Sequence, residues 1–375
     1  MPTLLYIVPE AGFFLSHRLP LGLAAQKAGY RVSVACPPSP ETAEIAAHGF
    51  SHISIEMPRG ATSPFAELAS LRAQYSLLKN LRPHVTHLVT AKPMLYGGLA
   101  ARVLGLNTVS AVTGLGFVFI RKGLKATVLR QIIRRGYGLA LNRKSNHVIF
   151  QNPDDRALFQ RFGLIKHAQV SVIPGSGVDL QTIRPASLPE GETVVLMPCR
   201  MLQDKGVREF VAAARRLKSE GHGAEFRLLG NPDPGNPTSV LEKEIEAWVA
   251  EGVVTWHPYT RNINAALAEA HIVVLPSYRE GFPKTLVDAA AAGRATVTTD
   301  VPGCRHAILP GETGLLCRVQ DSDSLAETLA PLITDREKQA QMGAAGRKLA
   351  ETRYGIATIA ARHMEIYNEM GRDIL

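Results

Sequence analysis

The chain reads as α/β, two successive doubly wound parallel sheets, on three observations. Apolar runs of strand length alternate with helical stretches from end to end, the pattern of βαβ units. At 375 residues the chain is long enough for two domains of ordinary size, each with its own core. A stretch rich in Gly, Pro and Ser, from Pro174 to Pro189, divides the pattern in two. The expected domains are residues 1–175 and 176–353, Rossmann-like and facing a cleft, with residues 354–375 as a last helix.

In the first half the apolar strand candidates are 4–8, 31–35, 52–56, 85–90, 108–112, 147–151 and 170–173. Helical stretches at 16–28, 41–48, 65–80 and 94–104 lie among them. In the second half the strands are 193–199, 225–229, 253–256, 271–275, 295–299 and 315–317. Their helices are 206–219, 238–250, 262–269, 284–292, 322–333 and 336–351. The longest uncharged stretch, Val103 to Ile120, holds three Gly, an Asn and two Thr. It reads as loop–strand–loop, not as a membrane-spanning helix. Leu4–Val8 is strand length with no basic run before it, so no secretory signal is expected. Cys36, Cys199, Cys304 and Cys317 show neither CxxC nor Cys/His spacing, which predicts reduced cytosolic thiols and no metal centre.

Charge is uneven. Residues 1–175 hold 20 Lys and Arg against 7 Asp and Glu, while the remainder holds 22 against 26. The densest cations are Arg121, Lys122, Lys125, Arg130, Arg134 and Arg135, interleaved with Val128, Leu129, Ile132 and Ile133. A basic amphipathic helix of this kind over 121–135 suits an anionic membrane surface or a lipid diphosphate. An ordinary solvated basic face fits the same residues. Nucleic acid is not expected, since no binding motif or aromatic-interleaved groove accompanies the charge.

Two segments carry the chemistry. The apolar strand 193–199 runs into Arg200, then Asp204-Lys205-Gly206 and a helix from Val207. A guanidinium and an ammonium at the carboxyl edge of an open sheet suit a diphosphate. Surface salt bridges fit them as well. Further on, the strand 271–275 leads to Glu280-Gly281-Phe282-Pro283-Lys284-Thr285-Leu286-Val287-Asp288. Pro283 starts a helix, whose free N–H groups and dipole attract an anion. Glu280 stands just before those groups and can accept hydrogen bonds from hydroxyls. Spacing alone is equally compatible with a capping Glu280 and a solvated Asp288.

These residues resemble the family-4 retaining glycosyltransferases of GT-B fold. The family's Arg-x4-Lys pair stands here as Arg200 and Lys205, and its Glu-x7-Glu element as Glu280 and Asp288. The segments Ala295–Cys304 and Gly311–Leu316 are similar too, and the likeness runs through nearly the whole chain. It implies that Arg200 and Lys205 hold the donor diphosphate and that Glu280 contacts the donor sugar, these three forming the catalytic group. Gly281, Phe282, Pro283, Lys284, Thr285 and Leu286 would line the donor. Asp288 would take the ribose hydroxyls from one methylene further back than the family's Glu. Tyr259, in Trp256-His257-Pro258-Tyr259, would stack on the base. The last helix would cross back onto the first domain.

The first domain would then hold the acceptor, through Gly12, His17 and Arg18 after the first strand, Lys92 after the fourth, and Thr113 after the fifth. Many relatives carry a His at that last place, where this chain has Thr113-Gly114-Leu115-Gly116. Lys92, Tyr96–Gly98 and Thr113–Phe119 resemble the branch acting on undecaprenyl-diphosphate-linked saccharides. The implied activity is retaining and metal-independent, with no cofactor and no Asp-x-Asp metal motif. It moves a hexose or N-acetylhexosamine from a nucleotide sugar, UDP-linked by preference, in surface-glycan or protein-glycan assembly. The implied place is cytoplasmic, peripheral on the inner face of the membrane, with domain closure excluding water. A GT-B nucleotide-sugar epimerase and a NAD-dependent dehydrogenase are the rivals. The second lacks its Gly-x-Gly-x-x-Gly turn, since Pro9–Leu15 has only Gly12.

Overall fold

The computed structural model describes residues 1–57, 63–114 and 124–372. The chain divides into two compact units, Met1–Ser176 with the residues from Ala357 onward, and Gly177–Ile356. The first unit contains β1 (Thr3–Ile7), β2 (Arg31–Cys36), β3 (Ser51–Ser54), β4 (Val85–Val89), β5 (Thr108–Val112), β6 (Asn146–Phe150) and β7 (Gln169–Val172). The second contains β8 (Thr193–Pro198), β9 (Ala224–Leu229), β10 (Thr255–His257), β11 (Ile272–Leu275), β12 (Ala295–Thr299) and β13 (Gly314–Cys317). All pairings are parallel, and both units are Rossmann-like as expected. Every residue of β4, β5 and β6 is buried, as a sheet covered by helices on both faces requires. That double burial explains why the strands are so plain in the sequence.

The sheet orders are β3-β2-β1-β4-β5-β6-β7 and β10-β9-β8-β11-β12-β13. In each, the first strand of the unit pairs with the fourth, and the winding reverses there. A crevice outside the carboxyl ends of those two strands is where such sheets bind ligands. The loops after β1 and β4, and after β8 and β11, therefore hold the favoured positions in each unit.

Helix boundaries are less legible. The stretch expected as one helix over 16–28 is two, Ala11–His17 and Leu19–Lys27, with Pro20 opening the second. Helix Pro153–Arg161 lies outside the expected set, although its start signals are complete. The Asn152 side chain accepts the Asp155 N–H at 2.8 Å, Pro153 follows it, and Asp154 and Asp155 fill the first turn. After β4 the chain makes a π turn, Pro93–Gly97, before helix Gly98–Leu104.

The last helix, Ile356–Arg372, lies against the first sheet and gives Ile359, Ile366, Tyr367 and Met370 to its core. Beneath it is a buried polar cluster. Tyr6 and Tyr367 share a hydrogen bond of 2.9 Å, and His87 Nδ1 lies 2.5 Å from the Tyr367 hydroxyl. His363 stacks on His87 at 5.9 Å between ring centroids, and Arg18 interacts with the group from the turn between the first two helices. Burial, then the Arg18 charge, holds His87 well below its ordinary pKa and His363 down to about 3. Both rings stay neutral when folded, whereas an unfolded histidine binds a proton below about pH 6.5. Stability is therefore full above that pH and falls as pH drops from there toward His363's folded value. The slope is up to ~1.4 kcal/mol per pH unit for each ring. Hydrogen exchange in the last helix between pH 7.5 and 5.5 should show this loss, and His363→Leu should make it shallower, with the His87 share remaining. Equal slopes in the two proteins would refute the assignment.

Candidate active site

Lys205 and Glu280 come together at the switch point of the second unit. Lys205 closes a short 3-10 turn, Gln203–Lys205, after β8, and Glu280 follows β11. The Lys205 ammonium donates to Glu280 Oε1, and Ser277 Oγ donates to the same oxygen at 2.7 Å. Burial lowers the Lys205 pKa, but the Glu280 carboxylate outweighs it and the net shift is upward. Lys205 is thus held as a cation. The loops are locked to each other, since the Asp204 carbonyl accepts the Tyr278 N–H at 2.9 Å. Gly206, at φ 79°, packs so closely on Pro276 that a Cβ would sit 2.2 Å from its carbonyl oxygen. Glu280 is fixed from behind, where its N–H donates to the Pro302 carbonyl at 3.2 Å. Gly303, at φ 86°, leaves no room there for a Cβ, which would lie 2.3 Å from the Glu280 carbonyl oxygen.

Helix Lys284–Ala291 begins beside this pair, with Pro283 as its extended N-cap. Thr285 Oγ1 donates to the Pro198 carbonyl at the end of β8 at 3.0 Å, which ties the helix start to the edge that carries Lys205. Phe282 is buried edge-on against Tyr354, and Leu286 is fully buried, so both support the loop from within. Gly281 lies between Glu280 and that buried ring.

Asp288 is neither solvated nor open. Its carboxylate is 8% exposed, and Lys284 donates to both oxygens at 2.6 and 2.7 Å. Burial raises its pKa, and Lys284 partly offsets that. Arg200 lies near enough for its charge to act on Lys205, but its own ion pair is with Asp233. It is 60% exposed and held by Asp233 at 2.8 Å. Tyr259 is exposed beyond β10, its N–H donating to Asn231 Oδ1 at 2.9 Å. Ser277, Asp233 and Gly303 escape a reading of the sequence, where nothing in their spacing marks them as partners of Glu280 and Arg200.

In the first unit the positions expected to bind an acceptor separate. Gly12 and His17 lie within helix Ala11–His17, with His17 in its last turn and stacked on Phe13. His17 therefore ends a helix and does not open one, while Arg18 is the N-cap of the next, Leu19–Lys27. Arg18 is only 2% exposed, so its guanidinium belongs to the polar cluster and is not offered to a ligand. Lys92 does stand at the carboxyl edge of β4, and Thr113 follows β5. Of the basic run 121–135, residues 121–123 and the side chains through Arg130 lie outside what the structure describes. Arg134 turns inward, its guanidinium 4.4 Å above the Phe162 ring. Among the described residues no helix is long and apolar enough to cross a membrane.

Residues 180–349 match the family model of glycosyl transferases group 1, and residues 3–152 match that of glycosyl transferase 4-like proteins. The chain is 28% identical to the N,N'-diacetylbacillosaminyl-diphospho-undecaprenol alpha-1,3-N-acetylgalactosaminyltransferase of Campylobacter jejuni, over 97% of this chain and 98% of that one. It is 31% identical to the D-inositol 3-phosphate glycosyltransferase of an Arthrobacter species, over 51% of this chain and 48% of that one. Among solved structures, sucrose-phosphate synthase from Thermosynechococcus elongatus superposes with a TM-score of 0.80 at 20% identity, covering 99% of each chain. Anabaena HepE, solved with UDP-glucose, gives 0.77 at 17% identity over 98% of this chain and 100% of that one. These likenesses identify the fold as GT-B.

Proposed function

The chain belongs to the glycosyl transferases, 4-like in its first unit and group 1 in its second, and from that premise we propose that it moves a sugar from a nucleotide diphosphate to an undecaprenyl-diphosphate-linked saccharide. The observation that carries the donor half is the Lys205–Glu280 pair at the β8–β11 switch point, beside the start of helix Lys284–Ala291. The end-to-end similarity to the Campylobacter enzyme supports the acceptor half. The matched family models describe transferases. Neither the epimerase nor the dehydrogenase reading gains support from them.

In this reading the helix N–H groups and the Lys205 ammonium receive the negative charge that develops on the departing diphosphate. Arg200 joins them by leaving Asp233, which its exposure allows. Glu280, already fixed by Lys205 and Ser277, accepts the donor-sugar hydroxyls. Lys284 and Asp288 face the ribose together, and Tyr259 covers the base. The acceptor hydroxyl gives its proton to the donor phosphate and attacks from the face the nucleotide leaves, which retains the anomeric configuration without a metal ion. Lys92 and Thr113 serve the acceptor. The basic helix meets an anionic membrane from the cytoplasmic side, and exposed Ile132 and Arg135 on its described part favour that.

The decisive experiment offers the protein a panel of UDP- and GDP-sugars with an undecaprenyl-diphosphate saccharide and reads the product by mass and by anomeric proton coupling. One added hexose or N-acetylhexosamine with retained configuration is the expected result. Release of nucleotide with no change in acceptor mass would refute it.

A further inference from the structure

Residues 57–153 contain 14 Lys and Arg but one acidic residue, Glu67. That single carboxylate is set on the carboxyl edge of β4, at the switch point of the first sheet. Helix Pro64–Leu81 carries it there. Lys92 Nζ donates to Glu67 Oε1 at 3.0 Å, and the Tyr96 hydroxyl donates to Oε2 at 2.6 Å. Lys92 and Tyr96 come from the turn after β4, where Thr90 has a φ of 74°. A β-branched residue in that region is strained, and such strain persists where surroundings impose it. Tyr137, from helix Leu124–Leu141, donates to the Ala91 carbonyl at 3.2 Å and pins the same turn.

Lys92 and Glu67 are 28% and 25% exposed, so the pair reaches solvent. Solvent screens part of its attraction, so its contribution to stability is modest. A carboxylate has about four lone-pair positions, and Lys92 and Tyr96 take one each. Glu67 is thus an aimed acceptor with capacity left over, beside an ammonium. A sugar hydroxyl both donates and accepts, and matches this arrangement. A phosphate would meet the like charge of Glu67.

We propose that Glu67, aimed by Lys92 and Tyr96, binds hydroxyls of the acceptor saccharide, and that Lys92 serves those hydroxyls and not the lipid diphosphate. The assignment rests on the glycosyltransferase reading above. In the full chain, Glu67→Gln should raise the acceptor KM about tenfold or more, the scale of losing a charged hydrogen bond. The donor KM should stay unchanged, and sugar-free undecaprenyl diphosphate should inhibit wild type and variant equally. Tyr96→Phe, a second route if Glu67→Gln does not fold, should raise the acceptor KM about two- to tenfold. An acceptor KM unchanged in the folded variants would overturn the proposal, as would loss of inhibition by the sugar-free lipid. Saturation-transfer NMR with the soluble saccharide reads the site without turnover. A signal lost in the variant supports the proposal, and a signal kept refutes it. Absence of transfer by the wild type would count against the glycosyltransferase reading alone.

Discussion

Lys205→Ala is expected to lower turnover about 10²-fold or more at saturating donor, the scale of removing a preorganised electrostatic donor. The substitution acts twice. It removes the cation placed for the diphosphate, and it releases the Glu280 carboxylate from its strongest fixed partner, leaving the Ser277 hydroxyl to hold that oxygen. Both effects fall on kcat, because charge on the leaving group develops in the transition state. Nucleotide affinity should fall less than turnover. Lys205→Arg should not restore the rate, since a planar guanidinium cannot take the ammonium's place in so enclosed a loop. Steady-state rates with donor and acceptor both varied, beside calorimetric UDP binding, check this. Near-wild-type turnover in Lys205→Ala would remove the donor assignment.

Gly206→Ala should be the most damaging small change in the second unit. Its backbone is left-handed, which alone costs a side-chain-bearing residue on the order of 1–3 kcal/mol. The added methyl would also collide with the Pro276 backbone, which the rigid strand β11 holds in place. A loss of about 3 kcal/mol or more is expected, in the range of strained-backbone and overpacking changes. Because Gly206 directly follows Lys205, the surviving folded protein should also be poorly active. Urea unfolding at pH 7.5 measures the first effect, and turnover per folded molecule the second. A midpoint within error of the wild type would show that the loop can yield.

The sheets are legible because parallel strands covered on both faces leave near-continuous apolar runs. In β8, for instance, Val195, Leu196 and Met197 are wholly buried. The donor loop is legible because its chemistry lies in a short segment, Glu280 to Asp288, with its Pro at the helix start. What escapes is contact across long separations. Asp233 on Arg200 and Glu67 on Lys92 have no spacing to betray them. Even so, Glu67 has one visible mark, its isolation among cations. Arg18 misleads because a cation near a functional loop reads as a ligand contact until burial is known. Here Arg18 is among the largest fully buried side chains. Asp288 misleads in the opposite sense, since its pairing with Lys284 four residues earlier is ordinary helical geometry that also confines it.

Gly303 shows where the instructions for placing Glu280 are written. It belongs to the next loop, beyond β12, and touches no donor in any reading above, yet its missing side chain makes the space that the Glu280 backbone occupies. The loop bearing the sugar-binding carboxylate is therefore not a self-contained cassette. Moved into another sheet without Val301-Pro302-Gly303, it would carry the right residues with no stated address. The smallest portable unit of this chemistry is two loops long, and its boundary lies one strand further on than the motif itself suggests.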